Sequence, residues 1–336
     1  MITRDIVVVG ASAGGIEALQ ILVRGLPKSF HASVFVVLHT AASSPNTLHK
    51  ILERAGPLPA STAAHWESIK PGHIYVAPAD HHLLLERSGY LRVTRGPKEN
   101  RFRPAIDALF RSAAHAFGRR VVGVILTGFL DDGTAGLWSI KERGGIAVVQ
   151  HPEDAVAPSM PLSALRYVEV DRCLPLNEIP PLLVQLTSAP VEEKGGKPMS
   201  EELETEVKIA REDNARESGI MNWGHPSIFA CPECHGVLLQ LKEGSNLRFR
   251  CHTGHAYSIE TLLAEFGEKT ETVLWNVVRS LDETVLLLRR MAEQLDQHEH
   301  KPAADALREK ALRAQAQADV VRNAVLQQAQ PKDPSA

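Results

Sequence analysis

The chain has 336 residues, is 44% hydrophobic and 23% charged, and carries a formal net charge of -3 at pH 7. That is enough apolar material for packed cores in about two domains, and the balance of charge excludes a chain that holds nucleic acid through its overall charge. No apolar run is long enough to span a bilayer, and Met1-Ile2-Thr3-Arg4-Asp5 leads into a strand without a secretory pattern, so a cytoplasmic protein with no membrane insertion and no nucleic-acid partner is expected.

Ile6-Val7-Val8-Val9 reads as a strand covered on both faces, because an unbroken β-branched run suits a buried parallel strand. It runs into Gly10-Ala11-Ser12-Ala13-Gly14-Gly15, where glycines permit a sharp turn, and from Ile16 the apolar spacing turns helical at Leu19, Leu22 and Leu26. Ser12 therefore stands at a strand end beside the free N–H groups of a helix N-terminus. Such a serine suits a nucleophile with an oxyanion hole. The same turn suits a phosphate-binding loop.

Val34 to Leu38 is a second buried strand, with His39 at its C-terminal end; a helix follows over residues 48–54. His73 to Pro78 is a strand, and Leu83-Leu84-Leu85 with Tyr90-Leu91-Arg92-Val93 makes a hairpin around Ser88-Gly89. Pro104 suits the first residue of a helix carrying Ile106, Leu109 and Phe110. Val121 to Leu126 is a strand that ends at Thr127-Gly128; a helix through Leu137 and Ile140 follows, then a strand at 146–149, a short strand at 168–170 and a last helix from Pro180 to Leu186. This alternation predicts an α/β domain over 1–187, with three layers and a doubly wound, mainly parallel sheet.

Residues 188–225 change character. The runs 192–197 and 201–216 are charged with few large apolar residues, and read as a partly helical linker solvated by its charges. Residues 226–336 then comprise a small module at 228–260 and a helical hairpin at 261–330. Of the four cysteines, Cys173 stands alone as a core or half-buried residue, while Cys231-Pro232-Glu233-Cys234 and Cys251-His252-Thr253-Gly254-His255 form two knuckles. C-x2-C with C-x3-H is a tetrahedral zinc pattern, so the module reads as a zinc ribbon with Cys231, Cys234, Cys251 and His255 as ligands, His252 and His235 being alternatives for the fourth. A closed shell makes the zinc structural. Beyond it, Leu274, Val278, Leu281, Val285, Leu288 and Leu295, and after Lys301-Pro302 the residues Leu307, Ala311, Ala314, Ala318, Val321 and Val325, predict two long antiparallel helices. That hairpin packs on itself or on the rest of this chain, or serves as a homodimer or partner surface. The tail 330–336 is expected to be disordered.

Parallel strands bring their C-terminal ends to one edge. Ser12, His39 and the pair Asp131 and Asp132 all follow strand ends, so a Ser-His-Asp set can converge there. In such a set His39 takes the Ser12 proton, with Nε2 toward Ser12 Oγ, while Asp132 holds the other ring nitrogen. Each residue also has a local alternative: Ser12 as a helix cap, His39 satisfying a turn, Asp132 capping the helix after it. Against a dinucleotide site, His39 occupies the strand end where an acidic residue would bind ribose, and no G-x-x-x-x-G-K-[ST] run is present. The α/β-hydrolase elbow fits poorly too, since the serine comes first in this chain and the aspartate last.

Residues Val9-Gly10-Ala11-Ser12-Ala13-Gly14-Gly15, Val36-Val37-Leu38-His39, Gly72-His73-Ile74-Tyr75-Val76-Ala77-Pro78, Asn100-Arg101-Phe102-Arg103-Pro104, Val124-Ile125-Leu126-Thr127-Gly128 and Asp132-Gly133 together resemble the catalytic domain of chemotaxis receptor methylesterases, the CheB-type protein-glutamate methylesterases. The resemblance covers about 1–187. It implies hydrolysis of protein γ-glutamyl methyl esters to glutamate and methanol, some members also deamidating glutamine, on a methylated chemoreceptor or other methylated signalling protein, with no catalytic cofactor. It places the nucleophile on Ser12, its histidine on His39, its aspartate on Asp132 and the oxyanion donors on the N–H groups of Ala13 and Phe129. The chain departs from the pattern in three ways. Phe129-Leu130-Asp131 replaces a loop that usually carries Met-Gly, so Leu130 stands where a glycine is usual; Ala13 replaces a frequent hydroxylated residue; and the sequence starts at the catalytic strand, whereas the chemotaxis enzyme usually carries a phospho-receiver domain first. Control by phosphorylation in cis is therefore not expected. The knuckle-and-hairpin tail resembles an extension on some stand-alone methylesterase-like proteins. A degenerate signalling adaptor working through that tail is the alternative function, and a nucleotide-binding protein a third.

Overall fold

The computed structural model describes residues 3–191, 198–212, 219–220, 224–243, 246–298 and 300–328. The charged run 192–197 and the tail 330–336, for which a linker and disorder are expected, lie outside the described residues. Two compact units are formed, Met1–Leu262 and Leu263–Ala336.

In the first unit, β1 (Ile6–Ala11), β2 (Ser33–Leu38), β3 (Ala60–Thr62), β4 (Ile74–Val76), β7 (Val121–Ile125), β8 (Ile146–Gln150) and β9 (Arg172–Leu174) make one sheet, in the order β3-β4-β2-β1-β7-β8-β9. All of its neighbours pair parallel. Alternation along β1 sends Val7, Val9 and Ala11 into one core and Ile6 and Val8 into the other. The first core is closed by α1 (Gly15–Arg24), α2 (Leu48–Ala55) and α6 (Ile179–Ser188), through Leu19, Leu22, Leu52 and Leu183. The second is closed by α3 (Ile106–Phe117), α4 (Thr134–Glu142) and α5 (Ser159–Tyr167), through Phe110, Leu137, Ile140 and Met160. With both faces covered, every residue of β1 and β2 is buried. Each large aliphatic side chain buried this way stabilises the fold by about 1.5–3 kcal/mol before entropy is counted.

From β1 the chain moves to β2, then to the edge strand β3, comes back to place β4 between β3 and β2, returns by the antiparallel hairpin β5 (His82–Leu85) and β6 (Leu91–Thr94) and by α3, and re-enters the sheet at β7 on the other side of β1. This switch point opens a crevice at the C-terminal ends of β1 and β7. The short strand expected at 168–170 lies instead at 172–174. Val168 closes the core below it, and the pairing with β8 begins only at Arg172.

Residues 201–212 differ from the solvated linker expected there. They form α7 (Glu201–Glu212), whose Leu203, Val207 and Ala210 repeat at helical spacing and are buried along with Ile209 and Glu206. After it, β10 (His225–Ala230), β11 (Val237–Glu243), β12 (Asn246–Cys251) and β13 (Ala256–Ser258) form an antiparallel four-stranded sheet. Arginines from this small sheet meet acids from the α/β part and from α7. Arg250 bonds Glu99 Oε1 at 3.0 Å and also Glu206; Arg248 reaches Glu206 at 3.4 Å; Arg111 of α3 bonds Glu99 and reaches Glu206 at 3.6 Å. All five side chains are at most 2% exposed.

The second unit is a helical hairpin, contributed by α8 (Ile259–Gln297) and α9 (Lys301–Gln328), with the break where Lys301-Pro302 places it. Val285, Ala311 and Ala314 pack together, and the ion pairs Arg308–Asp296 and Arg322–Asp282, equally spaced from the turn, show that the helices run antiparallel. No helix among the described residues is long and apolar enough to cross a membrane.

Candidate active site

Ser12 follows β1 directly. Its N–H donates to Thr127 O at 2.9 Å and its carbonyl accepts from Gly15 N at 2.9 Å, so the turn is tied both to the end of β7 and to α1. Gly14 has φ 72°, a left-handed backbone, and a Cβ there would meet Val156 Cβ at 2.7 Å. A Cβ on Gly128 would lie 2.8 Å from Ser12 Cβ. Gly128 thus lets the backbone after β7 approach the serine, and Gly14 lets the turn pack against Val156. The N-cap of α1 is Gly14 and receives no side-chain cap, so the capping alternative for Ser12 is not realised.

His39 follows β2 and is fixed by its own N–H to Ala11 O at 3.2 Å. Its ring stacks on Phe102, with centroids 3.6 Å apart and planes 7° from parallel. Nε2 donates to Asp132 Oδ2 at 2.8 Å, and Nδ1 is buried with no hydrogen-bond partner among the described residues. The expected ring orientation is thus reversed: the acid meets the ring at Nε2, the nitrogen farther from the backbone, while the Phe102 stack holds the ring plane. A carboxylate accepts only, so Nε2 carries the proton and the lone pair is on Nδ1.

Asp132 is 1% exposed. Besides His39 it accepts from Asn100 Nδ2 at 2.9 Å, Ile106 N at 2.7 Å, Asp107 N at 3.2 Å and Gly133 N at 3.0 Å. Two of these donors are the first N–H groups of α3, where the helix field also favours an anion. Burial alone would raise its pKa; the bonds from His39, Asn100 and Ile106 outweigh burial and hold the carboxyl below its ordinary range. The helix after Asp132 starts at Gly133 without a side-chain cap, so Asp132 does not serve as the cap of α4.

Two further carboxylates flank it. Asp107 is pushed up to about 6 by burial and by the charge of Asp132. Asp131 is 3% exposed, accepts from Ser258 Oγ at 2.8 Å, and is raised well above the usual range, by burial first. Glu99 is lowered: burial opposes this, but Arg111, Arg250 and Arg248 prevail. These shifts give a stability profile with two signs. Asp107 and Asp131 bind protons more tightly folded than unfolded, so their stabilising contribution is fully present below the ordinary carboxylate range and lost as pH rises from there, for Asp107 through about 6. Glu99 and Asp132 bind protons less tightly folded, so theirs is present above the ordinary carboxylate range and lost as pH falls through it. The melting temperature, followed by circular dichroism, is expected to peak within the ordinary carboxylate range, at about pH 4, and to fall on both sides.

The N–H groups of Ala13 and Phe129 donate to no acceptor among the described residues. Leu130 has φ 63°, so this leucine adopts the left-handed backbone that a glycine adopts freely, at a cost of about 1–2 kcal/mol. Ser12 and His39 line a cavity of about 430 Å³ with Thr40, Lys98, Arg101 and Phe102 among its walls.

Cys231, Cys234, Cys251 and His255 are not among the residues lining this cavity, and their ligand atoms all lie within 4.8 Å of one another. His255 Nδ1 is 3.6 Å from the sulfurs of both Cys231 and Cys251, and Cys234 and Cys251 sulfurs are 3.6 Å apart. Tetrahedral zinc with bonds of about 2.3 Å to sulfur places its ligand atoms roughly 3.5–3.8 Å from one another. The donor set therefore fits that ion.

The structure also shows site neighbours that strand-end reasoning missed. Asn100 and Phe102 come from a loop rather than a strand end, and their only sequence signal is the Asn100-Arg101-Phe102-Arg103-Pro104 resemblance. Ser258 comes from the small antiparallel sheet and has no such signal.

The model of the CheB methylesterase family matches residues 7–183. A Leptospira interrogans protein named as a protein-glutamate methylesterase/protein-glutamine glutaminase is 38% identical over 190 residues, 56% of this chain and 98% of that protein. A Geobacter metallireducens protein-glutamate methylesterase/protein-glutamine glutaminase is 39% identical over 181 residues, 53% of this chain and 50% of that one. The crystal structure of the Thermotoga maritima CheB methylesterase catalytic domain is 34% identical, with a TM-score of 0.53, covering 55% of this chain and 100% of that domain. The strand-end chemistry and the matched sequence coincide in one region, and the chain belongs to the CheB methylesterase family.

Proposed function

We propose that this chain is a serine hydrolase that converts protein γ-glutamyl methyl esters to glutamate and methanol in chemotaxis-like signal transduction. The observation that carries the reading is the bond from His39 Nε2 to the buried Asp132 carboxylate, which leaves Nδ1 without a partner among the described residues, in a residue that lines the same cavity as Ser12. In this mechanism Ser12 Oγ attacks the ester carbonyl while Nδ1 takes its proton. The imidazolium that forms is stabilised by Asp132. The N–H groups of Ala13 and Phe129 hold the oxyanion. His39 then gives the proton to the departing methoxide, methanol leaves an acyl group on Ser12, and water, deprotonated by Nδ1, attacks that acyl carbonyl, so that the glutamate leaves as Ser12 Oγ takes the proton back from His39. With ammonia as leaving group the same steps deamidate glutamine, the second activity in the names of the relatives. Incubation with a methyl-esterified receptor-type substrate is expected to release one methanol per ester removed. A folded chain that releases none favours the adaptor reading.

Catalysis is assigned to residues 1–187. The module at about 228–260 is assigned a zinc held by Cys231, Cys234, Cys251 and His255, which would supply cross-linking of the two knuckles and no step of the reaction. Metal analysis of the purified protein is expected to give about one zinc per chain, and Cys251→Ser to lose it together with a large part of the module's stability. The substrate is read as a methylated chemoreceptor or other methylated signalling protein, met in the cytoplasm. The exposed Leu286, Leu287, Met291, Leu312 and Val320 of the hairpin support its use as a homodimer or partner surface.

A further inference from the structure

The loop 98–103 does two jobs at once. Toward the cavity, Asn100 holds Asp132 and Phe102 stacks on His39. Toward the small antiparallel sheet, it behaves as an added strand segment: Glu99 bridges Ala256, Asn100 N donates to Ala256 O at 2.8 Å, and Ala256 N donates to Lys98 O at 3.3 Å. Asn100 and Arg101 both have positive φ, 49° and 76°. Two successive left-handed residues are costly unless their surroundings hold them.

What holds them comes largely from β13 and the start of α8. Ser258 N donates to Asn100 Oδ1 at 3.3 Å, Thr261 Oγ1 lies 3.5 Å from the same oxygen, and Thr261 Oγ1 accepts from Ser258 N at 2.8 Å. Ser258 Oγ bonds Asp131 Oδ1, the residue before the triad aspartate. The four groups are buried. On the other side, Arg250 donates to Gly254 O at 2.6 Å, inside the Cys251–His255 turn, and also binds Glu99, the residue before Asn100. The metal knuckle is thus one residue away, at each step, from the groups that hold Asp132 and His39.

We propose that Ser258, with Thr261, is a positioning residue for the triad: it sets Asp132 through Asp131 and Asn100, and the Cys231-Cys234-Cys251-His255 knuckle anchors it through Arg250 and Ala256. The knuckle sheet is therefore part of the esterase, and the state of its metal site sets the order of the loop that carries Asn100 and Phe102. This rests on the esterase reading of Ser12, His39 and Asp132.

The test uses the full chain and a fluorophosphonate that labels Ser12, with the kinetics resolved into a maximal labelling rate and a half-saturating concentration. Ser258→Ala and the near-isosteric Thr261→Val are each expected to lower the maximal rate roughly three- to tenfold, the effect of one lost hydrogen bond on a transition state. The half-saturating concentration should be unchanged, because neither residue lines the cavity. Hydrogen exchange of the peptide carrying residues 98–103 should rise in both variants, and also in the wild-type chain after zinc is removed with a chelator. Variants that melt within a few degrees of the wild type but label at its rate, or a 98–103 peptide whose exchange ignores chelation, overturn the proposal while leaving the esterase reading intact. A folded wild-type chain that takes no label at Ser12 overturns both.

Discussion

Asp132→Asn is expected to lower the rate of ester hydrolysis by about 10⁴-fold, the scale seen when the acid of a Ser-His-Asp set becomes an amide. The cause is the direction of one proton. The carboxylate accepts from His39 Nε2, which keeps the lone pair on Nδ1. An asparagine at this position keeps its one acceptor oxygen where Oδ1 takes the donors of Asn100, Asp107 and Gly133, and its NH2 group replaces Oδ2, which takes Ile106 N and His39 Nε2. Its NH2 group then turns to the imidazole, Nε2 must accept, and Nδ1 carries the proton it should take from Ser12. Steady-state methanol release checks this. A loss smaller than about tenfold would mean that Asp132 does not set the tautomer.

The second large effect is on stability. Glu206→Ala is expected to destabilise the first unit by about 3–5 kcal/mol, because it leaves Arg111, Arg248 and Arg250 buried around Glu99 alone. For a unit of this size that lowers the melting temperature by roughly 10 °C. Breaking one partner of a buried network is what costs here; the intact network need not be more stable than an apolar core. The same variant should render α7 and the knuckle sheet more sensitive to limited proteolysis, since Glu206 is where both meet the α/β part. A melting temperature within 2 °C of wild type would contradict this weight on Glu206.

Much of this was legible in the sequence because it follows from period and position. The valine run of β1, the glycine turn at Ser12 and the strand ends at His39 and Thr127 define the parallel sheet and its active edge with no knowledge of tertiary contacts. The knuckle spacing likewise brings Cys231, Cys234, Cys251 and His255 together. Three things were not legible. The plane of the His39 ring rests on Phe102, a partner more than sixty positions away, and which nitrogen meets Asp132 is settled only in the folded chain. The role of 201–212 depends on buried ion pairs: Glu206 looks like one more surface charge until Arg248 and Arg250 arrive on it from a separate sheet. Ser258 gives no signal at all, because a serine ending a short strand ordinarily caps the helix after it, and its contact with Asp131 exists only in the folded chain.

Ser12 is the centre of the account, and mass spectrometry of the fluorophosphonate-treated chain tests it most directly. One adduct per chain, on the peptide carrying Ser12, lost in Ser12→Ala together with methanol release, is the predicted result. Methanol release that survives Ser12→Ala, or an adduct on another serine with Ser12 unmodified, would contradict it.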